Sequence, residues 1–486
     1  MKSPEKQIGR AFLLNFAGLI VNKGSVFVAL LLVSRILGPD DYGRASIIVN
    51  TTSLFASLAA LNLGLVATKY IAKYRANDID RLNRILALVA SIGVASGFLF
   101  ALTLFVFAEP IAVHQLGSEQ MAPYLRIGAI TVAFTTYNGI QRGIVTGFER
   151  FKTLMQVDSF SGVVTFLLGV FGTIFFGAVG YIAALMIVSV LTNGLYFVIV
   201  RHLCRSFGVR YDVKGCLQEK NVLLRFALPM SLAGLAAAPA NWICGVIIVN
   251  TADGYASYGM YSAAFQWRSI IMLIMSTFGS AMLPILVSSD ERSSQVEKLN
   301  LLVEWFASIV IVCVLVPVSN SVSALYGAAY DRDIFGYCLV AIAFSCIVAS
   351  YMDGINRKMM QRDKMWYSFV ANVIWALSFI ALTYLFRDNG ATGIAYAMLC
   401  SYAIMLVVVI VMSIKLKVID TELVIKAKTT FVWVVRACWC VLCTMESFFA
   451  ARILSSMGVL TVVVVVFRSI YGLKQKRYER TDADGD

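Results

Sequence analysis

Apolar runs of about twenty residues, each closed by a short polar turn, recur along this chain, and a helix crossing the ~30 Å hydrocarbon core of a bilayer needs about that length. Fourteen such runs can be drawn, at residues 11–36, 45–66, 85–108, 123–146, 154–176, 179–200, 222–249, 260–287, 300–320, 334–356, 365–386, 390–414, 429–450 and 453–473. Only 14% of the 486 residues are charged and 59% are apolar, whereas a soluble domain carries roughly a quarter charged residues. A backbone in lipid must satisfy its own hydrogen bonds. The expected fold class is therefore an all-α polytopic membrane protein of about 14 transmembrane helices. Lys2, Lys6 and Arg10 precede the first run as in a signal peptide, but the run extends to residue 36, contains Lys23 and has no small-residue cleavage site. It reads as a retained span.

The best defined turn is Ser34 to Gly43, Ser-Arg-Ile-Leu-Gly-Pro-Asp-Asp-Tyr-Gly, where Gly38 and Pro39 stop a helix and Asp40 and Asp41 mark a membrane surface. It recurs. An offset of 216 carries Tyr42, Gly43 and Ser46 onto Tyr258, Gly259 and Ser262, and Asn15, Gly18 and Ser25 onto Ser231, Gly234 and Asn241. Further on, Gly139-Ile140-Gln141-Arg142 matches Gly354-Ile355-Asn356-Arg357, and Gly177-Ala178-Val179-Gly180 matches Gly390-Ala391-Thr392-Gly393. The chain thus reads as two copies of a six-span unit. An even number of spans gives parallel copies with a cavity expected between them. The expected divisions are 1–200 (N-lobe), 201–221 (basic linker), 222–414 (C-lobe), 415–473 (a helix pair outside the repeat) and 474–486 (tail).

With the N-terminus inside, 32 of the 41 Lys and Arg fall in cytoplasmic segments and six on the opposite side. This asymmetry predicts both termini to be cytoplasmic and explains the net charge of +13. A nucleic-acid partner would need the cations gathered on a soluble domain, and no segment is long enough to form one. The ten cysteines all follow residue 203, and the one cluster, Cys438, Cys440 and Cys443, has a spacing that does not share a helix face. No metal, cofactor or disulfide framework is expected, and there is no phosphate-binding loop or metal-ligand set that would make the chain an enzyme or an ATPase.

Scaffold residues should recur in both copies, so unmatched polar residues are the candidates for function. Lys23 lies at the middle of the first run and its counterpart is Pro239. A cation at the bilayer centre costs roughly 2.5–3.5 kcal/mol on insertion scales, which a purpose must offset. Asn15, Gly18, Asn22, Lys23 and Ser25 fall within about 160° of helical arc, one small and polar face. Arg268, beside Trp267, has Thr52 as its counterpart, with an interfacial Trp-Arg anchor as the alternative. The acids Asp158, Glu304 and Asp353 sit near run ends. Capping or ion pairing is the simpler reading for each, Arg357 standing at helical spacing from Asp353; ion coupling is the other. Pro239 is a candidate hinge, and Arg436 has no assigned role.

A first helix ending in Arg-Ile-Leu-Gly-Pro-Asp-Asp-Tyr-Gly resembles the opening hairpin of the polysaccharide-synthesis flippases of the multidrug/oligosaccharidyl-lipid/polysaccharide superfamily. The resemblance implies a protein of the cytoplasmic membrane that moves a polyprenyl-pyrophosphate-linked oligosaccharide (an O-antigen, capsule or exopolysaccharide repeat unit) to the outer leaflet by alternating access. Its partners would be that lipid, the bilayer and the polysaccharide polymerase and chain-length machinery, with the chain itself a monomer. Similar flippases, the lipid II exporters among them, place cations in their first and eighth helices to meet phosphates. By position that role passes to Lys23 and Arg268, with Asn15, Asn22 and Asn241 as further substrate-binding candidates. Two alternatives remain: a cation-coupled multidrug exporter of the same superfamily, and a membrane glycan polymerase or ligase. The first would want an acidic cavity, and the second typically carries a long outer loop with Arg and His; the longest here, around 109–122, has only His114.

Overall fold

The computed structural model describes residues 4–212, 215–219, 236–288, 294–362, 364–416, 456 and 458. Among these there is no β-strand, and eleven helices of ten residues or more carry the fold. They are α1 (Pro4–Ala60), α2 (Leu63–Tyr74), α3 (Ile79–Val106), α4 (Ala122–Gly147), α5 (Phe151–Ser206), α6 (Ala237–Val249), α7 (Gly254–Ser288), α8 (Ser294–Leu315), α9 (Arg332–Gln361), α10 (Met365–Leu385) and α11 (Gly390–Lys415).

Two helices are twice the length a bilayer needs, and each contains a break at a predicted turn. In α1, of 57 residues, Gly38 takes φ 72 and ψ 174; Pro39 then opens the second arm, where its fixed φ suits a first helical turn. In α5, of 56 residues, Gly177 takes φ 59 and ψ −143. The chain folds back there, since a Cβ placed on Gly172 would lie 2.7 Å from the carbonyl oxygen of Gly180. Gly390, the repeat counterpart of Gly177, takes φ 55 and ψ −125 between α10 and α11. Two positions that the sequence offset aligns thus share a backbone conformation open mainly to glycine.

Among the described residues six helices are long and apolar enough to cross a membrane, or seven if the pair 300–315 and 319–325, bent by 70°, forms one span. α1 covers the predicted run 11–36 and most of 45–66, and α5 covers 154–176 and 179–200. The runs at 429–450 and 453–473 lie outside the described residues apart from Ser456 and Gly458, as do Arg436 and the first part of 222–249. Large apolar side chains such as Phe98, Phe175, Phe176 and Val198 are exposed, as expected of surfaces that meet lipid and not water.

Contacts divide the chain into two compact units. The first comprises Met1–Gln266, Leu325–Tyr330 and Phe379–Ile394, and the second Trp267–Ala324, Asp331–Ser378 and Ala395–Asp486. In the first, Leu63, Ile71, Leu82, Ile85, Ile144 and Leu154 form a core joining α2, α3, α4 and the start of α5. The two repeat copies also meet inside this unit. The second arm of α1 crosses the start of α7 with Gly43 against Gly259, and an ideal Cβ on either glycine would stand 3.0 Å from the other's nitrogen. Tyr42 accepts a hydrogen bond from Gln266 Nε2 at 2.6 Å, and Tyr258 Oη accepts one from Asn50 at 2.9 Å. In the second unit α9 is the central element: 89% of its most apolar stretch is buried, against 44% for α3, so protein and not lipid surrounds it.

Two ion pairs pin neighbouring helices. Arg142 of α4 pairs with the buried Asp158 of α5. Its repeat counterpart Arg357 on α9 grips Glu304 of α8 with both terminal nitrogens, at 2.9 and 3.0 Å, while its Nε donates to Asn300 Oδ1 at 2.8 Å. Glu304 is only 2% exposed, so stranding its partner is expensive. Glu304→Ala is expected to destabilise the protein by about 3–5 kcal/mol, and the double change with Arg357→Leu to recover much of that loss. Thermal melting of the purified protein in detergent checks both; a double variant no more stable than the single one would contradict the pairing.

Candidate functional site

Arg268 lies about four turns into α7 in the second unit. Its Nη1 donates to Ser345 Oγ at 3.0 Å and to Cys346 Sγ at 3.6 Å, and its Nη2 donates to Tyr402 Oη at 2.6 Å. The guanidinium carbon also stands 4.8 Å from the Tyr402 ring centroid, within cation–π range. Tyr402 is itself braced by Trp375, with ring centroids 5.4 Å apart. Ser345 and Cys346 occupy the midpoint of α9, and Tyr402 that of α11. The arginine is thus held at mid-helix depth, which is not the position of an interfacial anchor. These hydrogen bonds go to neutral groups, so they orient the cation without cancelling its charge. Asp353, half-buried on α9, acts electrostatically on this arginine and on Arg357.

In the first unit Asn22 donates to the backbone carbonyl of Asp158 at 2.7 Å, where α1 packs against α5. Lys23, 100° further round the helix, is exposed and has no hydrogen-bond or ion-pair partner among the described residues. The side chain of Asn15 lies outside the described residues. Asn241 turns its amide onto the carbonyl of Ala237 in its own helix at 2.8 Å, and its backbone oxygen accepts from Asn50 at 3.3 Å. Pro239 stands in the first turn of α6 as described, where a missing N–H does least harm. Asp158 and Glu304 are held by their arginines. The sequence thus picked out Arg268 but not Ser345, Cys346 or Tyr402, which hold it.

A second polar feature went unnoticed in the sequence. The second arm of α1, α4 and α5 border an open-sided cavity of about 580 Å³, lined by Thr52, Ser57, Thr135, Asn138, Ser189 and Thr192 among others. Beside it Asn193 donates to Asn138 Oδ1 at 3.0 Å and Gln141 Oε1 at 3.3 Å. The signal was present as Thr52, Ala56 and Ala60, and again Thr131, Thr135 and Asn138, small or polar residues at helical spacing.

Long kinked helices, with a cation held at mid-helix depth, define an all-helical membrane-protein fold. Solved structures share it. A lipid II flippase MurJ in an inward closed conformation superposes with a TM-score of 0.73 at 15% identity, covering 94% of this chain and 99% of that one. An inward-facing multidrug resistance MATE family transporter of the MOP superfamily gives 0.67 at 14% identity, covering 85% and 99%. The profile of the family described as "Polysaccharide biosynthesis protein" matches residues 8–290, more than half the chain, and the protein belongs to that family. The EPS I polysaccharide export inner membrane protein EpsE of Ralstonia nicotianae (strain ATCC BAA-1114 / GMI1000) is 26% identical over 416 residues, 81% of this chain and 90% of that protein.

Proposed function

We propose that the chain is a flippase of the inner membrane that moves a polyprenyl-pyrophosphate-linked oligosaccharide from the cytoplasmic to the outer leaflet. The observation that carries this reading is Arg268, a guanidinium oriented by Ser345 and Tyr402 at mid-helix depth. An oriented guanidinium away from bulk water is suited to a pyrophosphate, and Lys23 is the second cation of the reading. The lipid tail stays in the bilayer while the two repeat copies, arranged as six-helix lobes, alternate access around the head group. Both termini are cytoplasmic by the charge count, and the protein works as a monomer supplying the glycan polymerase and chain-length machinery.

The energetics suit anion export. Carrying negative charge outward against an inside-negative potential gains ~2.3 kcal/mol per charge per 100 mV. If an ion is coupled as well, Asp353 is the acid best suited, because Asp158 and Glu304 are each gripped by an arginine. Lys23→Ala is expected to abolish export while leaving the amount of protein in the membrane unchanged, scored as surface polymer against protein by immunoblot. Undiminished export would remove Lys23 from the mechanism.

A further inference from the structure

We infer that the cavity bordered by the second arm of α1, α4 and α5 is a binding subsite for an uncharged sugar residue of the transported lipid. The inference rests on the flippase reading and adds to it where the glycan is held.

The chemistry of the wall selects the ligand. None of the side chains lining the cavity is charged. A cation or anion moved into such a site would lose its hydration with no opposite charge to replace it. Several lining hydroxyls spend their proton on their own helix: Thr52 donates to the carbonyl of Ile48 at 2.9 Å, Ser57 to that of Leu54 at 2.8 Å, Thr136 to that of Val132 at 2.8 Å and Ser189 to that of Met186 at 2.7 Å. A hydroxyl used in this way keeps its lone pairs, while Ser53, Thr131, Thr135 and Ser161 bring to the same wall hydroxyls that can both donate and accept. Such an uncharged wall serves a ligand that is itself rich in hydroxyls.

An alkyl chain would match none of the polar groups of this wall, whereas a sugar hydroxyl can both donate to them and accept from them. Ile48, Val49 and Val188, with the threonine methyl groups, supply apolar surface for the C–H faces of a pyranose ring. A volume of about 580 Å³ lies within the ~300–1,000 Å³ range of sites for small organic ligands.

The test compares two lipids on the full-length protein in nanodiscs: undecaprenyl pyrophosphate, and the lipid-linked repeat unit extracted from the host. The variant is Thr131→Val with Thr135→Val, which removes two hydroxyls of the cavity wall at nearly constant volume. Melting of the variant verifies that the fold is kept. The unmodified protein is expected to bind the glycosylated lipid about tenfold more tightly than the bare one, and the double variant to lose most of that preference at unchanged affinity for undecaprenyl pyrophosphate. Ala56→Leu, which fills the cavity instead of altering its polarity, is expected to do the same. If the unmodified protein binds both lipids equally, or if the variants keep its preference, the subsite is disproved. If it binds neither lipid, the flippase reading itself fails, a result the cavity variants cannot produce.

Discussion

Arg268→Ala is expected to reduce glycan export by about 10- to 100-fold, the loss that follows when a charge-assisted contact worth about 1.5–3 kcal/mol is removed. The protein should still fold, because the arginine is only half-buried and Ser345 already bonds to its own helix, its hydroxyl donating to the carbonyl of Ile342 at 2.6 Å. Arg268→Lys should restore little. An ammonium keeps the charge but loses the planar fork that reaches Ser345 and Tyr402 together and lies over the tyrosine ring. Tyr402→Phe keeps the ring and removes the acceptor, so an intermediate loss is expected. Surface polymer normalised to protein in the membrane measures all three, and full export by Arg268→Ala would remove the arginine from substrate handling.

The other large effect is expected at the crossing of Gly43 and Gly259. A side chain at Gly43 would overlap the carbonyl of Tyr255, and one at Gly259 that of Pro39. Backbone cannot yield as a flexible side chain does. Gly43→Val should therefore part the second arm of α1 from α7, at about 1–3 kcal/mol for an overpacked contact. In the proposed topology this crossing lies on the outer side, so separating it should favour a state open to the outside. A single cysteine placed at Ser46 should then react faster with a membrane-impermeant maleimide in the Gly43→Val background, while export falls. Unchanged labelling and unchanged export would show that the crossing is neither close nor a gate.

Much of the fold was legible because it depends on local chemistry. A glycine at a turn of left-handed backbone marks a helix break in any context, and Gly38, Gly177 and Gly390 all take positive φ. Asp253, in the second occurrence of the Tyr-Gly turn, also takes a left-handed conformation at φ 51. The pairing of Asp158 was only half legible: the sequence placed it near a helix end, while its partner Arg142 stands on the preceding helix. What holds Arg268 was not legible, since Ser345 and Tyr402 lie 77 and 134 residues away and nothing in a helical period encodes which turns of distant helices meet. The cavity escaped notice for a different reason. Threonine and serine carry no charge, and several of these satisfy themselves on their own backbone, so no costly group in the run marked the site.

Leaflet-resolved analysis of lipid-linked glycans in a strain lacking the gene tests the central claim most directly. Complete repeat units on their polyprenyl carrier should accumulate on the cytoplasmic leaflet while the surface polymer disappears, and re-expression should reverse both. Complete units that reach the outer leaflet but stay unpolymerised would contradict the flippase reading in favour of a polymerase, and two unchanged pools would contradict any role in glycan export.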